Sequence, residues 1–109
     1  MHTHEVLGEI ATKQKAMAQM ERTLHETARA LELEEALATL EVYGELDQGK
    51  PRYSNDLIRK AEITRRLFAR ATWQEPIQRQ ETLEQQVKEL KAEIGYYERE
   101  VEYAETSQS

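Results

Sequence analysis

The sequence predicts an all-α protein: an elongated antiparallel helical hairpin or coiled coil with a kink at Pro76, expected to be oligomeric. The first of three observations behind this is composition. Apolar residues make up 39% and charged residues 33% of the 109, with 4 glycines and 2 prolines, the profile of long helices. A mean hydropathy of -0.84 is too polar for a thick core, yet a helical seam needs only two or three apolar residues per heptad. The second is heptad spacing of the apolar residues. The third is charge arranged in blocks. A chain of this length is expected to form one domain, residues 1–109.

The first helix is expected over about residues 5–43. Ile10, Met17, Leu24 and Leu31 fall seven apart, with Leu7, Met20 and Ala28 widening the stripe. After Leu31 the phase is expected to shift, with Leu33, Leu37 and Leu40 carrying the face onward, as at a stutter. A rod of roughly 60 Å, at the usual rise per residue, needs a partner along most of its length.

Gly44 is expected to end this helix in the left-handed conformation. Residues 44–54 read as a loop, with a permissive Gly49 and with Pro51 unable to continue a helix. Ser54 and Asn55 are both good N-caps for a second helix over 55–72. Leu57, Ala61, Thr64, Phe68 and Ala71 supply its 4–3–4–3 stripe. A break is expected at 73–76, because Pro76 lacks a backbone donor and crowds the preceding turn. Trp73 is expected to cover the space this kink opens, with a role as a partner hot spot as the sharper reading.

The third helix, 77–105, carries the clearest signal. Val87, Ile94 and Val101 at position a alternate with Leu83, Leu90, Tyr97 and Ala104 at d without a miss. Branched residues at a with leucine at d favour parallel dimers, so a sister chain competes with the first helix for this seam. Residues 106–109 are expected to fray.

Residues 1–49 hold ten acids and four bases, residues 50–71 seven bases against Asp56 and Glu62, and residues 72–109 nine acids and four bases. Folding back near Gly49 lays the base-free acidic stretch 30–49 beside the basic one, and other registers set like charges together. The second and third helices together match the first in length, which favours a hairpin over the alternative, a three-helix bundle. Gly8 and Gly95 fall at similar distances from the turn, which suggests close backbone approach there.

Lys50, Arg52, Tyr53, Arg59, Arg66, Arg70 and Trp73 form a candidate nucleic-acid or partner patch. Arg59, Arg66 and Arg70 are expected on one outward helical face, with Tyr53 and Trp73 as stacking surfaces. Pairing of these bases with the acidic stretch is the simpler reading, and a pI near 5.1 argues against broad duplex affinity. Tyr96 and Tyr103, off the seam, are candidate partner contacts or packing residues.

Catalysis finds little to use. There is no cysteine, no glycine-rich phosphate loop, no HExxH motif and no Glu-x-x-His pair. His2 and His4 form a weak His-x-His, and His25 has Glu21 one turn away. No catalytic residue, metal or cofactor is therefore expected, and the chain reads as a non-enzyme. No apolar run of about 18 residues and no signal-peptide pattern occur, so a cytoplasmic protein with no membrane partner is expected.

The block Gly49-Lys50-Pro51-Arg52-Tyr53-Ser54-Asn55, followed by Arg59-Lys60-Ala61-Glu62 and a glutamate-rich coiled-coil tail, resembles short helical proteins of bacteria, phages and mobile elements. The resemblance covers the middle and C-terminal half. It implies a small accessory protein of DNA recombination, replication or defence and carries no catalytic residues. Three functions stand from the sequence. A self-associating scaffold or adaptor that binds another protein leads, followed by a nucleic-acid-binding accessory protein and an acidic decoy of a DNA-binding protein.

Overall fold

The computed structural model describes residues 3–108, with side chains described through residue 106; His2 and Ser109 lie outside the described residues. The element order is α1 (Thr3–Gly44), β1 (Leu46–Asp47), β2 (Lys50–Pro51), α2 (Asp56–Phe68) and α3 (Ala71–Gln108). The all-α expectation holds. The chain divides into two compact units, one of residues 1–25 with 81–109 and one of residues 26–80.

In the unit of residues 1–25 and 81–109, α1 runs antiparallel to α3. Val6, Ile10 and Ile94 form a buried cluster, onto which Met17, Tyr97 and Val101 pack. Lys13 Nζ reaches Glu93 at 2.6 Å and sits 5.8 Å from the Tyr97 ring centroid. The α3 seam is thus filled by the chain's own first helix. Val87 and Ile94 at a are buried, whereas Leu83, Leu90, Tyr97 and Val101 are half-buried. Fully burying a side chain of this size is worth about 1.5–3 kcal/mol, so Val87 and Ile94 contribute most here. Gly8 and Gly95 do not mark a close approach: a methyl at Gly8 would meet open space, and one at Gly95 would make ordinary contact with Arg99.

In the unit of residues 26–80, α1 keeps its phase, and the expected shift after Leu31 does not occur. Thr27, Leu31, Ala38 and Val42 are buried, while Leu33, Leu37 and Leu40 are 60%, 45% and 71% exposed. An unbroken helix cannot rotate its stripe between turns without a local irregularity. The face that wins places Glu41 and Glu45 opposite arginines of the returning chain, described below.

Gly44 is the last residue of α1 but is not left-handed. That conformation falls on Gln48 (φ 53°) and Gly49 (φ 80°), the centre of a two-residue β-turn between β1 and β2. Two consecutive positive φ values are the signature of a type I′ hairpin, whose twist matches its strands. The region read as a plain loop is therefore a miniature antiparallel ladder, with Leu46 opposite Pro51 and Asp47 opposite Lys50. The next pair out is hydrogen-bonded, Arg52 N–H donating to Glu45 O at 3.0 Å. Pairs alternate along such a ladder, so Pro51 occupies a position where no donor is required.

Asn55, not Ser54, caps α2, its side chain accepting from Ile58 N–H at 2.9 Å. The helix ends four residues earlier than expected. The interruption lies at Ala69–Arg70, and Pro76 sits inside α3. Around the break, Arg70 N–H donates to Leu67 O at 3.0 Å, and Arg70 O accepts from Trp73 and Gln74 N–H. The Gln74 side chain donates to Phe68 O. These bonds satisfy backbone groups that a helix end otherwise leaves orphaned. Pro76 removes a single bond near the start of α3. The α2 stripe is also inverted: Leu57 and Phe68 are 80% and 62% exposed, Ala61 and Thr64 are exposed, and Leu67 faces inward.

Candidate functional site

The bases of residues 50–71 meet acids at the hairpin end of the 26–80 unit. Arg66 is the hub. Its guanidinium lies 2.7 Å from Glu45 and 2.9 Å from Glu62, and donates to the Tyr53 hydroxyl at 3.3 Å. Arg65 holds the same Glu62 carboxylate at 2.6 Å. Glu45 also faces Arg52 at 3.6 Å. Arg59 lies 4.8 Å from the Tyr43 ring centroid, donates to Tyr53 O at 3.0 Å and pairs with Asp56 at 3.2 Å. Arg70 pairs with Glu41, and Thr72 donates to Glu34 at 3.1 Å. The acidic partners step backward from Glu45, just past α1, to Glu41 and Glu34 on α1 as the returning chain steps forward from Arg66 to Arg70 and Thr72, which is the antiparallel hairpin register that the charge blocks imply.

The electrostatics follow from these contacts. Hydrogen bonds from Arg65 and then Arg66 hold the Glu62 carboxyl down to about 2. Arg66 is the leading cause of the lowered Glu45 carboxyl, with Arg52 and Tyr53 adding to it. The same carboxylates hold Arg66 firmly charged.

Arg59, Arg66 and Arg70 therefore do not form an outward face. Their side chains are largely covered, and each guanidinium is engaged by an acid of the same unit. A guanidinium held by a carboxylate must lose it before meeting a phosphate, so the pattern that suggested a nucleic-acid patch instead closes the hairpin. Lys50 and Lys60 are exposed and form no ion pair among the described residues. Tyr53 is half-buried within the arginine cluster, with Arg52 5.6 Å from its ring centroid.

Trp73 does not cover a break at 73–76. It lines a groove of the 26–80 unit together with Leu67, Phe68 and Ile63, facing Thr39 and Tyr43 of α1. Beyond this groove Ala36 and Leu40 continue the surface beside Glu32 and Glu35. Leu33, Leu37 and Leu40 on α1, and Leu57, Ile58 and Phe68 on α2, are among the large apolar side chains left in solvent here, with Tyr43 and Leu46 near the turn. Leu33, Leu37, Leu40, Leu57 and Phe68 were legible as apolar heptad positions, but both stripes read as inward. The signal for the outcome is the second α1 stripe, Leu31, Ala38 and Val42, with acids spaced to meet the arginines.

In the unit of residues 1–25 and 81–109, Tyr96 and Tyr103 are exposed. Tyr96 meets Tyr97 edge-on at 5.6 Å and 70°, and its hydroxyl bonds to Glu100, which raises the Tyr96 phenol above its usual range. With Val6, Val101 and Ala104 the two tyrosines border a shallow groove.

In each unit α1 lies antiparallel to a later helix, and in the 26–80 unit the arginine–carboxylate cluster sits at the hairpin end while apolar side chains of α1 and α2 remain exposed. Compared with known families, curated proteins and solved structures, the chain shows no match. No helix among the described residues is long and apolar enough to cross a membrane.

Proposed function

We propose that this chain is a small non-enzymatic helical scaffold or adaptor that self-associates and binds another protein. One observation carries the reading: in the 26–80 unit, stripes with heptad rhythm on both α1 and α2 stay exposed after the chain has satisfied its own seam. Large apolar patches left in solvent mark interaction surfaces. The inward engagement of Arg59, Arg66 and Arg70 weighs against the nucleic-acid alternative. Static light scattering across the micromolar range tests the reading. A mass that rises with concentration is expected, and a strict monomer would remove self-association. Binding of single- or double-stranded oligonucleotides that weakens with salt, and is lost on Arg59→Ala with Arg66→Ala, would favour the alternative.

A further inference from the structure

The two faces of the α1–α2 pair in the 26–80 unit differ. One is closed by arginine–carboxylate contacts, Arg66 to Glu45 and Arg70 to Glu41. The other is a groove of about 510 Å³, continued along α1 past Thr39 and Glu35. Its α1 wall steps by four, three and four through Glu32, Ala36, Thr39 and Tyr43, and its α2 wall by four and three through Lys60, Thr64 and Leu67. Two rows of that rhythm on adjacent helices form a seat for a third helix. The middle of the seat is low: Ala36, Thr39 and Thr64 are small, whereas Tyr43 stands at one end and Trp73 at the other. Free charge is also sorted by end. Lys60 lies toward Tyr43, and Glu32 and Glu35 lie toward Trp73, in the register set by Tyr43 on Asp56 and Thr72 on Glu34. Lys60, Glu32 and Glu35 are exposed and form no ion pair among the described residues. Asp56, which accepts from the Tyr43 hydroxyl at 3.5 Å, is already held by Arg59.

We infer that this groove holds an amphipathic helix of another protein, with large apolar side chains over the low middle and lysine or arginine where it passes Glu32 and Glu35. This names the partner's chemistry within the scaffold reading and rests on the protein-binding half of it. Shape and charge both select the occupant. Close packing requires that a low middle be filled by side chains of about leucine size. Two unpaired carboxylates at one end call for bases, and Lys60 at the other calls for an acid. A second copy meets neither demand. Laid groove on groove, it sets Ala36, Thr39 and Thr64 against equally small residues and leaves the middle unfilled. Its exposed Leu33–Leu37–Leu40 row has the size but lies in the base-free stretch 30–49, so it brings only further acids to Glu32 and Glu35.

Trp73 is the chain's single tryptophan and lines the groove, so its emission reports occupancy. The experiment titrates the full chain with tryptophan-free synthetic peptides of roughly 20 residues, long enough to hold a helix. One carries a leucine row flanked by lysines, a second has alanine in place of leucine, and a third has glutamate in place of lysine. The first is expected to shift Trp73 emission to shorter wavelength and to bind about tenfold or more tighter than either of the others. Thr64→Arg alters an exposed side chain, so helicity by circular dichroism is retained, and it is expected to abolish the shift by filling the groove. Glu32→Lys with Glu35→Lys is expected to invert the preference toward the glutamate peptide. Equal response to the lysine and glutamate peptides, binding untouched by Thr64→Arg, or no shift up to about millimolar peptide overturns the proposal. A shift that grows with the concentration of the chain alone overturns it too, by putting a second copy in the groove. A mass that rises with concentration while Trp73 stays silent to every peptide removes the groove and leaves self-association standing. A peptide response from a strictly monomeric chain removes self-association and upholds the groove.

Discussion

Arg66 on α2 places its guanidinium 2.7 Å from the carboxylate of Glu45, the residue after the last turn of α1. The same guanidinium also bonds to Glu62 one turn earlier on its own helix and to the Tyr53 hydroxyl, so one side chain ties α2 to the residues on either side of the β1–β2 hairpin. Charge in this cluster is shared between elements, and its consequences are measurable.

The first concerns acid. The Glu62 carboxyl falls from an ordinary 4.5 to about 2, and Glu45 is lowered too. A carboxyl lowered on folding stabilises the folded state fully above its unfolded value, and that stabilisation is lost as pH falls through the folded one. Thermal unfolding followed by circular dichroism should therefore show a Tm that drops between pH 4.5 and about 2. Glu62→Gln should lower Tm at neutral pH and flatten the acid drop. An acid drop as steep in the variant as in the parent chain would show that this carboxylate is not the source.

The phase of α1 makes a second prediction. Ala38 is fully buried, whereas Leu37 beside it is 45% exposed. Ala38→Leu should overpack the seam and cost about 1–3 kcal/mol in urea unfolding. Leu37→Ala, measured at a concentration where the chain does not associate, should change stability by no more than about 0.5 kcal/mol. If the two results were exchanged, the seam would run through Leu33, Leu37 and Leu40 after all.

The cap of α2 separates two neighbouring residues. Asn55→Ala removes the acceptor for Ile58 N–H and should cost about 1 kcal/mol. Ser54→Ala should leave the unfolding midpoint in place, since Asn55 already fills that role.

Gly8 and Gly95 are a route to added stability. Both lie inside helices, and a methyl added at either position meets no obstruction. Each Gly→Ala change should stabilise by up to about 1 kcal/mol through helix propensity and a less flexible unfolded chain. A loss of stability in either variant would reveal a close neighbour at that glycine.

By itself the sequence determined the helical class, the hairpin turn around Gly49, the opposition of the acidic and basic blocks, and the α3 seam from Leu83 to Val101. These follow from local chemistry and from periodicity over many residues, and no competing stripe on α3 obscured the pattern. Tertiary structure decided what periodicity left open. Residues 31–42 carry two apolar stripes, and a helix can bury either one. The choice fell to Leu31, Ala38 and Val42 because that face sets Glu41 and Glu45 against Arg70 and Arg66. The same choice turned Leu57 and Phe68 outward and Arg59 and Arg66 inward, reversing the expected faces of α2. The break moved from Pro76 to Ala69–Arg70 for a related reason: Leu67 O, Phe68 O and Arg70 O each found a donor there, and one missing donor near the start of α3 is tolerated. Which row of side chains is buried depends on what the opposite helix presents, and that is a property of the folded pair.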